Sequence, residues 1–114
     1  MKKILIIAAI ATLTGCSLLP RSHDPVMFER LVVMNIDIGE IDCNSPQWTP
    51  IARSAEILAR SAEWRNDPQA TNLDGLHSHV VRLSQGGSVT FCELGKRTAA
   101  QRIDAVKTAW GGRR

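Results

Sequence analysis

The chain has 114 residues with 14 Lys or Arg against 11 Asp or Glu, and two of the lysines, Lys2 and Lys3, lie at the N-terminus in a segment that we expect to be removed. Without these two, 12 basic residues remain against 11 acidic ones, and this near balance gives no basis for nucleic-acid binding. The length allows one domain with a modest core, and the aromatic content of 4% with no Tyr favours helices over a β-sandwich.

The first fifteen residues have the plan of a secretory signal peptide. Lys2 and Lys3 give a positive start, and residues 4–11 form an apolar run without charge. This run is too short to cross a bilayer as a helix, which takes about 20 apolar residues. We therefore expect residues 1–15 to be a cleaved signal peptide.

The end of the targeting segment predicts a lipid anchor. Leu13-Thr14-Gly15-Cys16 resembles the lipobox of bacterial lipoproteins. The resemblance implies cleavage before Cys16, a diacylglyceryl thioether on its sulfur and an acylated amino group. Because Ser17 is not the aspartate that signals inner-membrane retention, the sorting rule of these lipoproteins implies the periplasmic face of the outer membrane. Residues 16–23 then form a short lipidated tether, and residues 24–114 form a periplasmic domain.

Two cysteines remain once Cys16 carries lipid. Cys43 and Cys92 would lie in the oxidising periplasm, which favours a disulfide over two thiols. Neither belongs to a CxxC motif or has a histidine neighbour, so a metal site is not indicated. A bridge between them would close a loop of about 49 residues and stabilise the domain by about 4 kcal/mol in the chain-entropy model. The alternative is a disulfide that joins two chains.

The first element of the domain has helical periodicity. Asp24-Pro25 predicts an N-cap followed by proline at the first helical position. The apolar residues then recur at helical spacings of four, three, four and three, at Met27, Leu31, Met34, Ile38 and Ile41. A strand remains an alternative, because a period of two also fits Val32, Met34, Ile36 and Ile38.

The second helix is predicted after a turn with two prolines. Either Ser45-Pro46 or Thr49-Pro50 can begin it, and its apolar stripe is Ile51, Ala55, Leu58 and Ala62. The segment 52–56 recurs seven residues later as 59–63, which keeps small alanines on one face and favours close packing inside a bundle. Glu56 and Arg60 have the spacing of a weak surface ion pair.

Two further helices complete the predicted domain. Asn66-Asp67-Pro68 ends the second helix, and Asn72 is the expected cap of a third with the stripe Leu73, Leu76, Val80 and Leu83. Gly86-Gly87 ends the third helix. Thr90 and Glu93 form a capping box for the fourth, with Val89 and Leu94 as a hydrophobic staple. Its stripe is Ala99, Ile103, Val106 and Trp110, and Gly111-Gly112 ends it.

The sequence therefore predicts an all-α fold, a small antiparallel four-helix bundle with one disulfide, with a three-helix bundle as the alternative. An up-down-up-down order places Cys43 and Cys92 at the same end of the bundle. It also returns the C-terminal residues 111–114 to the end where the tether begins, so the last arginines are expected to face lipid headgroups.

No residue pattern in the chain predicts catalysis, a metal or a cofactor. His77 and His79 are two residues apart and point in different directions on a helix, so we expect surface histidines. The serines Ser45, Ser54, Ser61 and Ser88 lack a GxSxG context. The carboxylates Asp37, Glu40 and Asp42 fit the solvated face of the first helix. The tryptophans Trp48, Trp64 and Trp110 are expected to plug the ends of the bundle, or one of them to line a partner groove.

Several short segments resemble small lipoproteins of tailed phages that act as the outer subunit of a spanin. These segments are His23-Asp24-Pro25, Cys43, Arg65-Asn66-Asp67-Pro68-Gln69, Cys92 and Ala109-Trp110-Gly111-Gly112-Arg113. The resemblance implies that the protein pairs with an inner-membrane subunit and disrupts the outer membrane during host lysis. The predicted partner is therefore a periplasmic or inner-membrane protein.

Two other functions remain open at this point. The predicted bundle with one disulfide also resembles the secretin pilotins, outer-membrane lipoproteins that bind a short helix of their secretin client. A lipoprotein that acts on the cell wall is the enzymatic alternative, although no residue of the chain supports it.

Overall fold

The structure, a computed structural model, describes residues 23–113. The predicted signal peptide 1–15, the predicted lipidation site Cys16, the predicted tether residues 17–22 and Arg114 lie outside these residues. The described part of the chain contains four helices, α1 (Pro25–Gly39), α2 (Thr49–Trp64), α3 (Ala70–Ser84) and α4 (Val89–Gly111). No strand occurs within residues 23–113, so the all-α prediction is confirmed. Over the same residues, none of the helices has the length and apolar character needed to cross a bilayer.

The four helices form a ring in which each packs on two neighbours. α1 contacts α2 and α4, and α3 contacts α2 and α4, with the α2–α3 contact the most extensive and the α1–α2 contact the least. This arrangement confirms the four-helix bundle and excludes the three-helix alternative.

Hydrogen bonds at the two ends of α1 show that α1 and α4 run antiparallel. At the beginning of α1, the Nδ1–H of His23 donates to the carbonyl oxygen of Trp110 at 3.3 Å. At its end, the ammonium group of Lys96 donates to the carbonyls of Gly39 and Ile41. We call the end that contains His23, the end of α2 and the end of α4 the tether end, and the opposite end the far end.

The helical stripes form one continuous core. All four predicted residues of α1 between Met27 and Ile38 are buried, whereas Ile36 is 54% exposed, so the strand alternative is wrong. Ile41 lies beyond the end of α1 and is half-buried. The predicted stripes of the other helices are buried as well, namely Ile51, Ala55, Leu58, Ala62, Leu73, Leu76, Val80, Leu83, Ala99, Ile103, Val106 and Trp110.

The predicted beginnings of α1 and α2 agree with the structure. The carboxylate of Asp24 accepts hydrogen bonds from the backbone N–H groups of Val26 and Met27 at 3.0 and 3.2 Å, which caps α1. α2 begins at Thr49-Pro50 and not at the earlier Ser45-Pro46.

The predicted cap of α3 is wrong, because the turn before it is tighter than expected. Asn66 adopts a left-handed conformation with φ 53°, and the N–H of Asp67 donates to the carbonyl of Ala62 at 2.9 Å. This pattern ends α2 as a Schellman motif. The carboxylate of Asp67 then accepts the N–H of Gln69, so α3 begins at Ala70 and Asn72 lies within its first turn.

The capping box and staple predicted for α4 are also wrong. Ser88, in an extended conformation, is the N-cap, and its hydroxyl oxygen accepts the N–H of Phe91 at 3.1 Å. Gly86 and Gly87 have φ values of +103° and +144°. The chain therefore reverses direction before Ser88, and α4 begins directly after that residue. Val89 and Leu94, which were predicted to form the hydrophobic staple, are 50% and 55% exposed.

Candidate partner-binding groove

The residues considered for chemistry lie on separate parts of the bundle. Ser54 bonds to the carbonyl of Pro50 and Ser88 caps α4, while Ser45 is exposed and Ser61 half-buried. The carboxylates of the first segment are exposed, namely Asp37, Glu40 and Asp42. Within residues 23–113, no group of three His, Cys, Asp or Glu side chains could hold a metal ion.

One of the two histidines of α3, His79, has a contact that the sequence did not predict. Both are half-buried, not fully exposed. The Nε2–H of His79 donates to the carbonyl oxygen of Gly95 at 3.0 Å. His79 therefore ties α3 to α4, which corrects the expectation of a surface histidine.

The disulfide lies at the far end of the bundle. Cys43 and Cys92 are bonded to each other, with 5.7 Å between their Cα atoms, and both are buried. The bridge joins the α1–α2 connection to the first turn of α4. The predicted pairing within one chain is confirmed, and the Lys96 bonds to Gly39 and Ile41 fix the same connection a second time.

A buried carboxylate, Asp67, links the helix ends at the tether end of the bundle. Asp67 accepts two hydrogen bonds from the guanidinium of Arg113, at 2.6 and 2.8 Å, and one from the indole N–H of Trp110 at 3.3 Å. The Arg113 hydrogen bonds are the main reason that the pKa of Asp67 is lowered to about 2, although burial acts in the opposite direction. No local sequence pattern indicates this cluster, because Asp67 lies 43 and 46 residues before its two partners.

Arg113 is therefore not available to lipid in the way the sequence suggested. Its side chain is only 14% exposed and is held on Asp67, so the expectation that it faces headgroups is wrong. A second ion pair, between Arg65 and the α1 cap Asp24, joins α2 to α1 at the same end. The described ion pairs do not include Glu56 with Arg60, so that predicted pair is not formed.

The three tryptophans divide into two buried residues and one exposed residue. Trp48 and Trp110 are each 3% exposed and plug opposite ends of the core, as expected. Trp64, the last residue of α2, is 86% exposed, so it does not plug the bundle.

A groove lies between α1 and α2, the two adjacent helices that contact each other least. Its volume is about 360 Å³, and the residues that line it are Val26, Glu29, Arg30, Val33, Met34 and Ser54. Val26 and Val33 are 61% and 49% exposed and lie seven residues apart, which is two turns along α1. Two apolar side chains at this spacing, beside a small Ser54, suit the apolar face of an added helix.

Further exposed apolar side chains lie at the far end. Val89, Phe91 and Leu94, in the first two turns of α4, are each at least 44% exposed. They do not line the α1–α2 groove, which is the candidate site for a partner helix.

The function is inferred from the residues of this chain itself. No protein-family model matches the chain, and no curated protein and no solved structure shows significant similarity to it.

Proposed function

We propose that this protein is a lipoprotein anchored through Cys16 on the periplasmic face of the outer membrane, and that it binds a partner protein and carries out no catalysis. The signal peptide and lipobox of the sequence support the anchor. The groove between α1 and α2 carries the partner-binding part of the proposal, because it leaves two apolar side chains of one helix face uncovered. Burying such side chains against a second helix is favourable by about 25 cal/mol per Å² of apolar surface.

The best candidate within this class is the outer subunit of a phage spanin. Its partner would be the periplasmic part of an inner-membrane subunit, and a helix of that subunit would lie in the α1–α2 groove. The resemblance of residues 65–69 and 109–113 to small phage lipoproteins supports this choice. The first segment contains Asp67 and the second contains Arg113, and these two residues form the ion pair at the tether end. A gene neighbourhood with an overlapping inner-membrane reading frame inside a lysis cassette would strengthen the assignment.

The anchor is tested by mass spectrometry of the membrane fraction. The expected product begins at Cys16 and carries the mass of its acyl chains. A product that retains Met1, or a Cys16→Ser protein that fractionates with the membrane as the wild type does, would overturn the anchor.

The spanin function is tested by lysis of infected cells. Deletion of the gene should leave cells with degraded wall but an intact outer membrane, visible as spheres at low shear. Cys16→Ser should fail in the same way. Ser17→Asp is the matched control for location, because it should be lipidated but retained in the inner membrane, and it should also fail. Normal lysis with the deletion would remove the spanin proposal.

A secretin pilotin is the second candidate, favoured by the groove between two helices of a bundle with one disulfide. In that case the groove would hold a short C-terminal helix of the secretin. Pull-down of a purified secretin C-terminal segment by the wild-type protein, combined with normal lysis in the deletion, would favour the pilotin over the spanin.

A further inference from the structure

One face of α2 combines exposed apolar and basic side chains. Arg53, Ile57, Arg60 and Trp64 follow one another at spacings of four, three and four, so they share one side of the helix. They surround a shallow depression of about 250 Å³. We call these four residues the α2 outer face. The 86% exposure of Trp64 is the highest among the exposed large apolar residues of the described chain.

The chain enters the bundle beside this face. Arg65, which follows Trp64, pairs with Asp24, which follows His23. Seven residue steps separate His23 from Cys16, and even a fully extended chain spans at most about 25 Å over that length. A lipid on Cys16 would therefore hold Trp64 close to the bilayer. α4 makes no contact with α2 and lies across the ring of helices from it, so the exposed residues of α4 lie away from this face.

The chemistry of the face matches the surface of a phospholipid bilayer. Tryptophan is enriched at membrane interfaces, where its apolar ring and its N–H are both accommodated. Arg53 and Arg60 belong to none of the ion pairs found in residues 23–113, so both guanidinium groups can bind lipid phosphates. Glu56, which also borders the depression, adds one opposing charge.

We propose that the α2 outer face rests on the phospholipid surface, with the Trp64 indole among the headgroups and with Arg53 and Arg60 on lipid phosphates. The proposal rests on the lipid anchor proposed above. It gives the bundle a fixed orientation on the membrane. The groove lined by Val26 and Val33 lies on the neighbouring flank and stays open to a partner.

The test uses the lipidated mature protein in vesicles of phosphatidylethanolamine and phosphatidylglycerol whose acyl chains carry bromine, which quenches tryptophan. Wild-type emission should shift to the blue and be partly quenched. Trp64→Phe should lose the quenched component, because Trp48 and Trp110 are buried. Trp64 is so exposed that this change should leave the fold intact, which circular dichroism checks.

A tryptophan at the far end provides the matched control. Leu94 is 55% exposed, and Leu94→Trp in the Trp64→Phe background should restore an exposed tryptophan without restoring the quenching. Equal quenching of the two positions would overturn the proposed orientation. Charge reversal of both arginines, Arg53→Glu with Arg60→Glu, should reduce the quenching of Trp64.

Flotation of the same vesicles separates the two proposals. Protein that does not float overturns the anchor and this inference with it. Protein that floats but shows no quenching of Trp64 overturns the membrane contact alone. If Trp64→Phe also abolishes lysis in that case, Trp64 contacts the partner protein instead.

Discussion

Asp67 and Arg113 are joined by two hydrogen bonds although 46 residues separate them in the sequence. The guanidinium presents two parallel N–H groups to the carboxylate, which is the strongest geometry for this kind of pair. The two hydrogen bonds tie the turn between α2 and α3 to Arg113, the second residue after the end of α4. The carboxylate side chain is 7% exposed, so the pair is shielded from solvent and from salt.

Asp67 should make the free energy of unfolding depend on pH in the acidic range. Its pKa is about 2 in the folded protein and 3.8 in the unfolded reference. A lowered pKa stabilises the fold at pH values above 3.8, and this contribution is lost as the pH falls towards 2. Asp67→Asn should lower the free energy of unfolding by about 2 kcal/mol at pH 7 and reduce its decline between pH 5 and pH 2. Chemical denaturation at a series of pH values measures both effects.

The control for this prediction is Asp104→Asn, because Asp104 is 71% exposed and lies 3.8 Å from Lys107. Exposed pairs of this type contribute about 0–1 kcal/mol. If Asp67→Asn and Asp104→Asn gave the same stability at every pH, Asp67 would not have the role described.

The disulfide should contribute strongly to stability. It closes a loop of 49 residues, for which the chain-entropy model gives about 4 kcal/mol. Cys43→Ala with Cys92→Ala should lower the melting temperature substantially, and dithiothreitol should lower that of the wild type but not of the double variant. On non-reducing electrophoresis, the wild type should migrate as a monomer that runs faster than its reduced form. A dimer band that disappears on reduction would contradict the pairing within one chain.

Gly95 should resist substitution because the buried Leu83 side chain of α3 packs directly against it. A Cβ atom on Gly95 would collide with Cδ2 of Leu83 and lie 2.9 Å from its Cδ1. Overpacking costs about 1–3 kcal/mol, and the higher helix propensity of alanine returns about 1 kcal/mol. Gly95→Ala should therefore be destabilising, as measured by urea denaturation.

Two further variants check the cause of this effect. Gly39→Ala, where nothing lies within 4 Å of the added Cβ, should not destabilise the protein. In a Leu83→Ala background, Gly95→Ala should cost less than in the wild type, because the colliding side chain is gone. Equal costs in the two backgrounds would show that the collision is not the cause.

The α1–α2 groove gives a prediction about lysis. Val33→Arg places a charge in the groove, whereas Ile36→Arg places it on the same helix at a position of similar exposure that does not line the groove. Val33→Arg should fail to restore lysis to a deletion mutant, and Ile36→Arg should restore it. Circular dichroism should show the same helix content for both variants. If both restored lysis equally, the groove would not be the partner site.

The fold could be predicted from the sequence because each helix carries an apolar stripe with a period near 3.6. For α1 the sequence left a strand open, and burial in the structure decides against it, since Ile38 fits both patterns but the exposed Ile36 fits the strand alone. The disulfide was predictable from the count of cysteines and the expected compartment.

Features that depend on distant parts of the chain were not predictable. The Asp67–Arg113 pair and the exposure of Trp64 follow from how the helix ends meet, and no local pattern encodes them. The prediction of where α4 begins was wrong for a different reason, because Ser88 and Thr90 are both residue types that cap helices well. The backbone of Gly86-Gly87, with its positive φ angles, decides between them.

The hydrogen bond between His23 and Trp110 brings the beginning and the end of the domain into contact. A short linker could therefore join the two natural termini, and the chain could be reopened at the Gly86-Gly87 turn, as in a circular permutant. With the anchor proposed for Cys16 moved to this new opening, the attachment point would lie at the far end of the bundle. Such a permuted protein would keep its fold and groove, but Trp64 would lie at the end of the bundle opposite its attachment to the membrane.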